Sequence, residues 1–425
     1  MAISSVQIGN FKGILSSRNL QIKPITIFVG ANSSGKSSCI HALAALAQTV
    51  KVTNDSRPLV LDDEFAMVHL GRFIEIVHSR SYQDSIELGL GMKDMHYTAL
   101  KRGKDGRRTI ESRTAPMKAS YRFKCTKRTQ ETNLDSASYT IGEHSYAVRR
   151  GRDPRSYTIA EGTGASAVKV QTDRESAFFL SQSGLFSYRG KEDHFERFLP
   201  MLGAQETVKS ELSKCLYLGP FRQGPLRRYA SRGAGPTEVG AMGESTITML
   251  ANETIQSRTR PHLKQLAKWL KLLGLAESVD VSRIGRSDLF DVSMKLKDGE
   301  SFPIADLGYG MSQILPVLTQ CSFAPKGATL LFEQPEIHLH TIAARALSGV
   351  FIETAKSKSA HVVLETHSPE LVKEFMVKQR AGEISPDDII FYRVNRYDGE
   401  SRITPLEFDE HLDIYDNWES GISIP

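Results

Sequence analysis

Apolar and polar positions along the chain follow a regular alternation at both ends and lose it in the middle. Ser4 to Ile8 and the run Ile25-Thr-Ile-Phe-Val29 read as short strands, the second broken by Gly30, and Ser38 to Val50 carries Ala, Leu and Ile at helical spacing. Phe73 to Val77 and Ser85 to Met92 read as further strands. From Lys93 to about Gly190 the pattern becomes short β-prone pieces separated by Gly, Asp, Ser and Lys/Arg, which predicts an inserted antiparallel region or exposed hairpins. A helical stretch follows, then a strand ending in the Gly/Pro turn Gly219-Pro220-Phe-Arg222-Gln-Gly-Pro225-Leu-Arg227-Arg228. Glu253 to Leu275 places Leu263, Leu266, Trp269, Leu270 and Leu273 on one side of a helix, the pattern of core packing. From Ile304 the alternation returns: a helix after Gly310, a strand Ala328 to Phe332, a helix from about Thr341 to Lys356 and a strand His361 to Leu364. Strands separated by helices of this length imply a parallel sheet.

Composition narrows the class without choosing a function. The 425 residues are 40% hydrophobic and 24% charged, ordinary for a globular chain with an ample core. No apolar run approaches the roughly 20 residues that cross a bilayer, and the first 21 residues lack a signal's apolar core, so the expectation is a cytoplasmic protein with no membrane partner. Cys39, Cys125, Cys215 and Cys321 form no Cys-x-x-Cys pair, which argues against a disulfide framework or a zinc ribbon.

The net charge of +5 is uneven: residues 101–160 hold 15 Lys/Arg against 6 Asp/Glu. That stretch, with Lys101-Arg102, Arg107-Arg108, Lys124, Lys127-Arg128 and Arg149-Arg150-Gly-Arg152, suits a nucleic-acid backbone, an acidic partner protein or solvated hairpins. Only Tyr121, Phe123 and Tyr146 interleave it.

The sharpest chemical signal is Gly30-Ala-Asn32-Ser33-Ser34-Gly35-Lys36-Ser37, with P-loop spacing between an expected strand and helix. Such a loop wraps backbone N–H groups around a β-phosphate and presents a helix N-terminus to it; Lys36 reaches the β/γ-phosphates and Ser37 ligates Mg²⁺. Asn32, Ser33, Ser34, Gly35 and Ser38 complete the expected ATP cradle. A P-loop also needs an acid at the end of a neighbouring apolar strand, and Thr329-Leu-Leu-Phe-Glu333 supplies it, making Ser37 and Glu333 the expected metal pair. Glu365-Thr366-His367-Ser368 ends the next strand on the same sheet edge, where His367 could reach the γ-phosphate. Asp306-Leu-Gly308-Tyr-Gly310-Met-Ser312-Gln313 opens a helix and offers a weaker anion site. Arg222, Arg227 and Arg228 would clamp phosphate or face solvent, and His338, His340 and His361 only weakly suggest zinc.

These pieces, in this order, resemble the ATP-binding-cassette (ABC) type of ATPase head, in the branch of RecF, SMC and OLD proteins. Ile8-Gly-Asn10-Phe11-Lys12 resembles that branch's opening. Glu333-Gln-Pro-Glu336-Ile-His338-Leu-His340 and Glu365-Thr-His367-Ser resemble the pattern of OLD-like AAA-family ATPases of bacterial anti-phage defence. The resemblance covers about the first 90 and last 200 residues. It implies an α/β P-loop NTPase fold with a mixed, largely parallel sheet flanked by helices, plus inserted antiparallel β and helical regions. The expected division is residues 1–92 for the N-terminal half of the head, 93–215 for the basic insert, 216–303 for a helical subdomain and arm, and 304–425 for the half with signature loop, Walker B and switch histidine.

By the same resemblance two copies dimerise head to head, Gly310 and Ser312 meeting the γ-phosphate in trans, as a homodimer or higher oligomer. One departure has a chemical consequence. The family usually pairs a Walker B Asp with a following Glu as general base; here the positions hold Glu333 and Gln334. Glutamine cannot accept a proton, and losing a base costs about 10²- to 10⁴-fold in rate. Either Glu336 supplies the carboxylate, with Lys36 and His367 as the other catalytic groups, or Gln334 only orients water and hydrolysis is slow. OLD proteins carry a C-terminal Toprim nuclease, but 58 residues after His367, including the acidic run Phe408 to Asp416, are too few for one. The expected role is therefore an ATP-binding sensor or scaffold in a defence system, controlling a separate nuclease or toxin; a RecF-like DNA-binding ATPase is the alternative. A transporter subunit is disfavoured by the missing Leu-Ser-Gly-Gly-Gln signature and Asp-Glu pair.

Overall fold

A computed structural model describes residues 2–17, 19–52, 57–102, 108–152, 156–162, 168–171, 193–230 and 235–406. In chain order the first elements are β1 (Ser5–Phe11), β2 (Ile14–Ser16), β3 (Leu20–Gln21), β4 (Ile25–Val29), α1 (Lys36–Lys51), α2 (Phe73–Ile76), β5 (Ile86–Arg102) and β6 (Arg108–Cys125). Then come β7 (Thr132–Ile141), β8 (His144–Arg150), β9 (Ser156–Glu161), β10 (Val168–Gln171), α3 (Asp193–Ser213), β11 (Cys215–Leu218), β12 (Tyr229–Ala230), α4 (Thr246–Gln256) and α5 (Pro261–Leu272). The last are β13 (Ser278–Arg283), β14 (Leu289–Lys295), β15 (Ser301–Pro303), α6 (Tyr309–Phe323), β16 (Thr329–Glu333), α7 (Thr341–Lys358), β17 (His361–Glu365), α8 (Pro369–Arg380), β18 (Ile389–Tyr397) and β19 (Glu400–Leu406).

The chain folds into two compact units. The first comprises Met1–Ile22, His41–Cys215 and Arg396–Arg402. Its described strands form a nine-stranded sheet in the order β10-β9-β8-β7-β6-β5-β1-β2, with β3 also on β1. The stretch expected as an insert continues the sheet that the N-terminus begins, because β5 pairs with β1 from Ser5↔Gly91 to Gly9↔Glu87 and runs through the 92/93 boundary. The short β-prone pieces are parts of long strands: β5 and β6 pair over almost their whole lengths, with one irregularity between Met92 and Met95. Alternate residues of β7 and β8 (Tyr139, Ile141, Tyr146, Val148) are buried, and α3 lies over that face. Tyr146 packs edge-on to Phe198 and donates to the Arg197 carbonyl at 2.9 Å, while Gln205 donates to the Tyr139 hydroxyl at 3.2 Å. Period-2 burial under a helix explains why the polar partners on these strands face outward.

Phe73–Ile76 corrects an expectation, being a helical turn where a strand was expected. The apolar–polar alternation suggested β structure, but Glu75 folds back to accept the Arg72 backbone N–H at 2.9 Å and its guanidinium at 2.8 Å. Phe73 and Ile76, three apart, then both face inward.

The second unit comprises Lys23–Ile40, Leu216–Asn395 and Ile403–Pro425. Its main sheet has the order β11-β16-β17-β4-β18-β19, and β16, β17, β4 and β18 run parallel. Every residue of β4 and β16 is buried, as is all of β17 after His361, the near-continuous apolar run that a parallel strand covered on both faces requires. Phe332, Phe351 of α7 and Phe375 of α8 pack in series, the first pair tilted at 5.3 Å and the second stacked at 6.5 Å. A second, four-stranded sheet (β12-β14-β13, with β15 on β14) packs with α4 and α5. The single helix expected over Glu253 to Leu275 is two, parted where Arg260 takes φ +46° before Pro261. Val279, Val281, Val292 and Met294 join Leu266, Trp269 and Leu270 in the core.

The parallel sheet's ends carry the motifs, so its core should govern them. Phe351→Ala removes the middle ring of the aromatic series and is expected to cost about 3–5 kcal/mol, seen as a lowered urea midpoint by circular dichroism. A shift near zero would show that this stack does not hold the unit.

Candidate functional site

The P-loop links β4 to α1 inside the second unit. Gly30 has φ +148°, and a Cβ there would come within 2.2 Å of the Val394 carbonyl, so the strand can leave the sheet only at a glycine. Ser33 adopts φ +61° and Gly35 +106°, curling the loop back before Lys36 starts the helix. Lys36 is 4% exposed, and its ammonium donates to the carbonyls of Gly30 and Ala31 at 3.1 and 2.7 Å. Burial lowers its pKa, opposed by the nearby Glu365 carboxylate. The Ser34 hydroxyl, also in the loop, is buried without a partner among the described residues.

Three carboxyls gather at the carboxyl edge of the sheet. Glu333 and Glu365 end adjacent parallel strands and lie in register with each other. Since β17 stands between β16 and β4, the strand beside the P-loop strand ends in Glu365, and the Ser37 hydroxyl donates to its Oε2 at 2.8 Å. Glu333, expected to share a metal with Ser37, accepts from the Tyr217 hydroxyl at 2.6 Å. Glu336 accepts from the Thr366 hydroxyl at 2.5 Å and the His367 backbone N–H at 3.2 Å, while its Oε2 is buried with no partner among the described residues. Burial holds the Glu336 carboxyl above its usual pKa range.

Burial, and then the Glu333 charge, push the Glu365 carboxyl up to about 7, against the pull of the Ser37 hydrogen bond and Lys36. His367 moves the other way: burial, with Lys36 nearby, takes it down to about 4, so its imidazole is neutral near pH 7.

The turn after β16 is tightly built. Gln334 has φ +44°, and its backbone N–H donates to the Glu365 carbonyl at 3.1 Å. His338 has φ +66° and its ring meets Tyr309 edge-on at 5.1 Å. Gly310 lies in the first turn of α6, where a Cβ would come within 2.4 Å of the His338 carbonyl; close packing against this turn requires that glycine. Ser312 is 7% exposed and donates to the Tyr309 carbonyl at 2.8 Å, leaving its lone pairs to accept. His340 caps α7, its Nδ1 accepting from the Ala343 N–H at 3.4 Å. Of the turn arginines, Arg222 is buried and bonds backbone carbonyls, whereas exposed Arg227 forks onto Asp306 at 3.2 and 2.5 Å.

Sequence reasoning thus placed the P-loop, Glu333, Glu336 and the Glu365–His367 segment on one sheet edge but gave Glu365 no role and missed Tyr217 and the inward turn of Arg222. A signal for Glu365 was present: a second apolar strand of the same length ends in Glu. Among the described residues no group of three His, Cys, Asp or Glu side chains is arranged to hold a metal ion. A cation at Ser37 would therefore rely on phosphate oxygens and water for most of its shell, as Mg²⁺ does in nucleotide sites.

In the first unit, the basic stretch is partly neutralised by its neighbours. Arg113 pairs with Glu111 at 2.8 Å, Arg122 with Glu87 at 3.1 Å and Lys124 with Asp135 at 3.3 Å, all partly exposed contacts. Arg107 and the acidic run from Phe408 lie outside the described residues, and no helix among those described is long and apolar enough to cross a membrane.

Residues 1–144 match a family model described as an AAA ATPase domain, and residues 188–373 match one described as "AAA domain, putative AbiEii toxin, Type IV TA system". Two segments of the chain are thus similar to AAA-type ATPase domains. Each model takes in under half of its length, the first including the P-loop and the second the strands of Glu333 and Glu365. Among solved structures, the chain is similar to the SMC head domain from Thermotoga maritima (11% identity, TM-score 0.42, 96% of this chain and 100% of that one). It is also similar to an SMC head bound to the C-winged helix domain of ScpA (12%, 0.44, 96% and 99%) and to the Pyrococcus furiosus SMC head with an extended coiled coil bound to the C-terminal domain of ScpA (10%, 0.43, 98% and 99%). No curated protein matches the chain at a significant level.

The raised Glu365 pKa has a measurable consequence. With the folded value near 7 and the ordinary value 4.5, folding favours the neutral carboxyl; its stabilisation is full below about pH 4.5 and is lost as pH rises through 7. Without nucleotide or Mg²⁺, Glu365→Gln should gain on the wild type by roughly 3 kcal/mol between pH 4.5 and 8, measured as urea unfolding at each pH. A gap that stays constant would mean that Glu365 is ionised throughout.

Proposed function

We propose that this chain binds ATP with Mg²⁺ at its P-loop, dimerises through the nucleotide and hydrolyses it slowly. The observation that carries the reading is the Ser37–Glu365 hydrogen bond at the base of the P-loop, beside Glu333 in register on the next strand. The protein groups fit such an occupant: the unpartnered Ser34 hydroxyl can donate to a phosphate oxygen, and the unpartnered Glu336 Oε2 can accept from an ordered water. Lys36 would exchange two loop carbonyls for the β/γ-phosphates, and the N–H groups opening α1 would hold the β-phosphate. When bound, Mg²⁺ supplies charge neutralisation at those phosphates. Ser37, with Glu333 and Glu365, would orient it through direct or water-bridged contact.

The chemistry of the attacking water then falls to Gln334, Glu336 and His367. Gln334 orients water without taking its proton. Glu336 is anchored by Thr366 and the His367 N–H, which leaves one oxygen to serve as base. Neutral His367 would donate a hydrogen bond to the γ-phosphate. Gly310 and Ser312 would meet the γ-phosphate of a second copy, so a homodimer or higher homo-oligomer completes the site. Such a slow, ATP-held assembly suits a sensor or scaffold controlling a separate effector, a nuclease or toxin, in prokaryotic anti-phage defence. The OLD-like segments at Glu333–His340 and Glu365–Ser368 support that role, as does the match to a model described by a toxin–antitoxin system. The RecF-like alternative would use 101–160 on DNA, and the ion pairs on that stretch weaken it.

Lys36→Ala should abolish ATP binding measured by calorimetry while leaving the melting temperature of the protein without nucleotide within a few degrees. In single-turnover assays, Gln334→Glu is expected to speed hydrolysis by about 10²-fold, because it adds a carboxylate directly after Glu333 where the family usually has its base, and Glu336→Gln to slow the wild-type reaction by at least tenfold. Fast wild-type turnover, or no change in Glu336→Gln, would reject the slow-timer mechanism or the base assignment respectively.

A further inference from the structure

Arg222 has no assigned role in the site above, yet its surroundings are unusual for a turn arginine. It is 4% exposed, and its guanidinium spans two segments: Nη1 donates to the Gln313 carbonyl in the first turns of α6 at 3.3 Å, and Nη2 to the carbonyls of Glu333 and Gln334 at 3.1 and 3.0 Å. The Gln313 side chain, 1% exposed, donates back to the Gln223 carbonyl at 3.4 Å. Burial brings its pKa down to about 10, against the pull of the Glu336 charge. A buried cation whose two Nη groups donate to main-chain oxygens of two separate segments fixes their spacing, which a planar fork does and a point ammonium does not.

The two segments are those whose alignment the chemistry needs. One is the start of the helix bearing Gly310 and Ser312. The other is the turn where Gln334 sits at φ +44°, a conformation a glutamine adopts only when held. We propose that Arg222 is a positioning residue that couples the Gly310–Ser312 helix to the Glu333–Gln334 turn, so that engagement of Ser312 sets the water-orienting geometry at Gln334. The inference rests on the nucleotide reading above and extends it to how the site is regulated.

The test compares full-length wild type, Arg222→Lys, Arg222→Gln, Gln334→Gly and the Arg222→Lys/Gln334→Gly pair, with ATP binding, melting and steady-state hydrolysis measured on each. Arg222→Lys and Arg222→Gln should keep ATP affinity and KM within about threefold while kcat falls at least tenfold, since neither side chain spans both segments. Glycine tolerates positive φ without being held, so in the Gln334→Gly background the same Arg222→Lys change should cost less than threefold in kcat. Unchanged kcat in both single variants would overturn the proposal while leaving ATP binding intact. So would an equal cost in both backgrounds, or a loss of kcat that only tracks loss of melting temperature and affinity, which marks a purely structural arginine. A wild type that binds no ATP, with Lys36→Ala indistinguishable from it, would instead remove the nucleotide reading beneath it.

Discussion

Charge balance at the carboxyl edge of one parallel sheet is the constraint on which the second unit depends. Glu333, Glu336 and Glu365 are held close together and largely out of water, with Lys36 and Arg222 as buried cations and Tyr217, Thr366 and Ser37 as hydroxyl donors. Lys36 and Arg222 donate to main-chain carbonyls, the three acids accept from hydroxyls, and burial raises the pKa of Glu365 and Glu336. Such an arrangement is costly for a chain on its own and favourable around an added cation and polyphosphate, which is why burial is better read here as preparation for a ligand than as a device for stability.

The same edge explains two features that look like local oddities. Gln334 and His338 take left-handed backbone conformations because the turn after β16 must bring its N–H to the Glu365 carbonyl and its His338 carbonyl against Gly310. Gly30 and Gly310 serve the same end from opposite sides: each is a place where a Cβ would strike a carbonyl oxygen of a neighbouring segment. The motif glycines are thus packing requirements first, whatever they later present to a phosphate. The first unit follows a simpler rule, in which long antiparallel strands bury alternate tyrosines under α3 and leave the charged residues of the other face to pair across strands.

Much of this was legible along the chain. Short apolar-rich runs such as Ile25–Val29 and Ala328–Phe332, bounded by turn residues or glycine, read as buried strands, and a glycine-rich loop with lysine and serine between strand and helix has few other uses. The order of P-loop, Gly310 segment, Glu333 strand and His367 strand is a property of the sequence and needs no coordinates. Where reading failed, the signal was ambiguous in kind: Phe73–Val77 alternates like a strand but closes a helical turn through Glu75, and the long β5–β6 pair was hidden by its polar outer face.

What the sequence could not decide is adjacency. Strand order is set by how the connecting helices pack, and it places β17, with Glu365, between the P-loop strand and β16, so that Ser37 meets Glu365 while Glu333 meets Tyr217. Arg222 read as a phosphate clamp or a solvent-facing side chain until the fold turned it inward onto the carbonyls of a helix start and a strand end. Residue identity and periodicity determined the P-loop, the buried strands and the chemistry that this sheet edge can hold, because those depend on local sterics and burial. Which acid touches which donor depends on contacts between residues more than a hundred positions apart, and only the tertiary structure sets those.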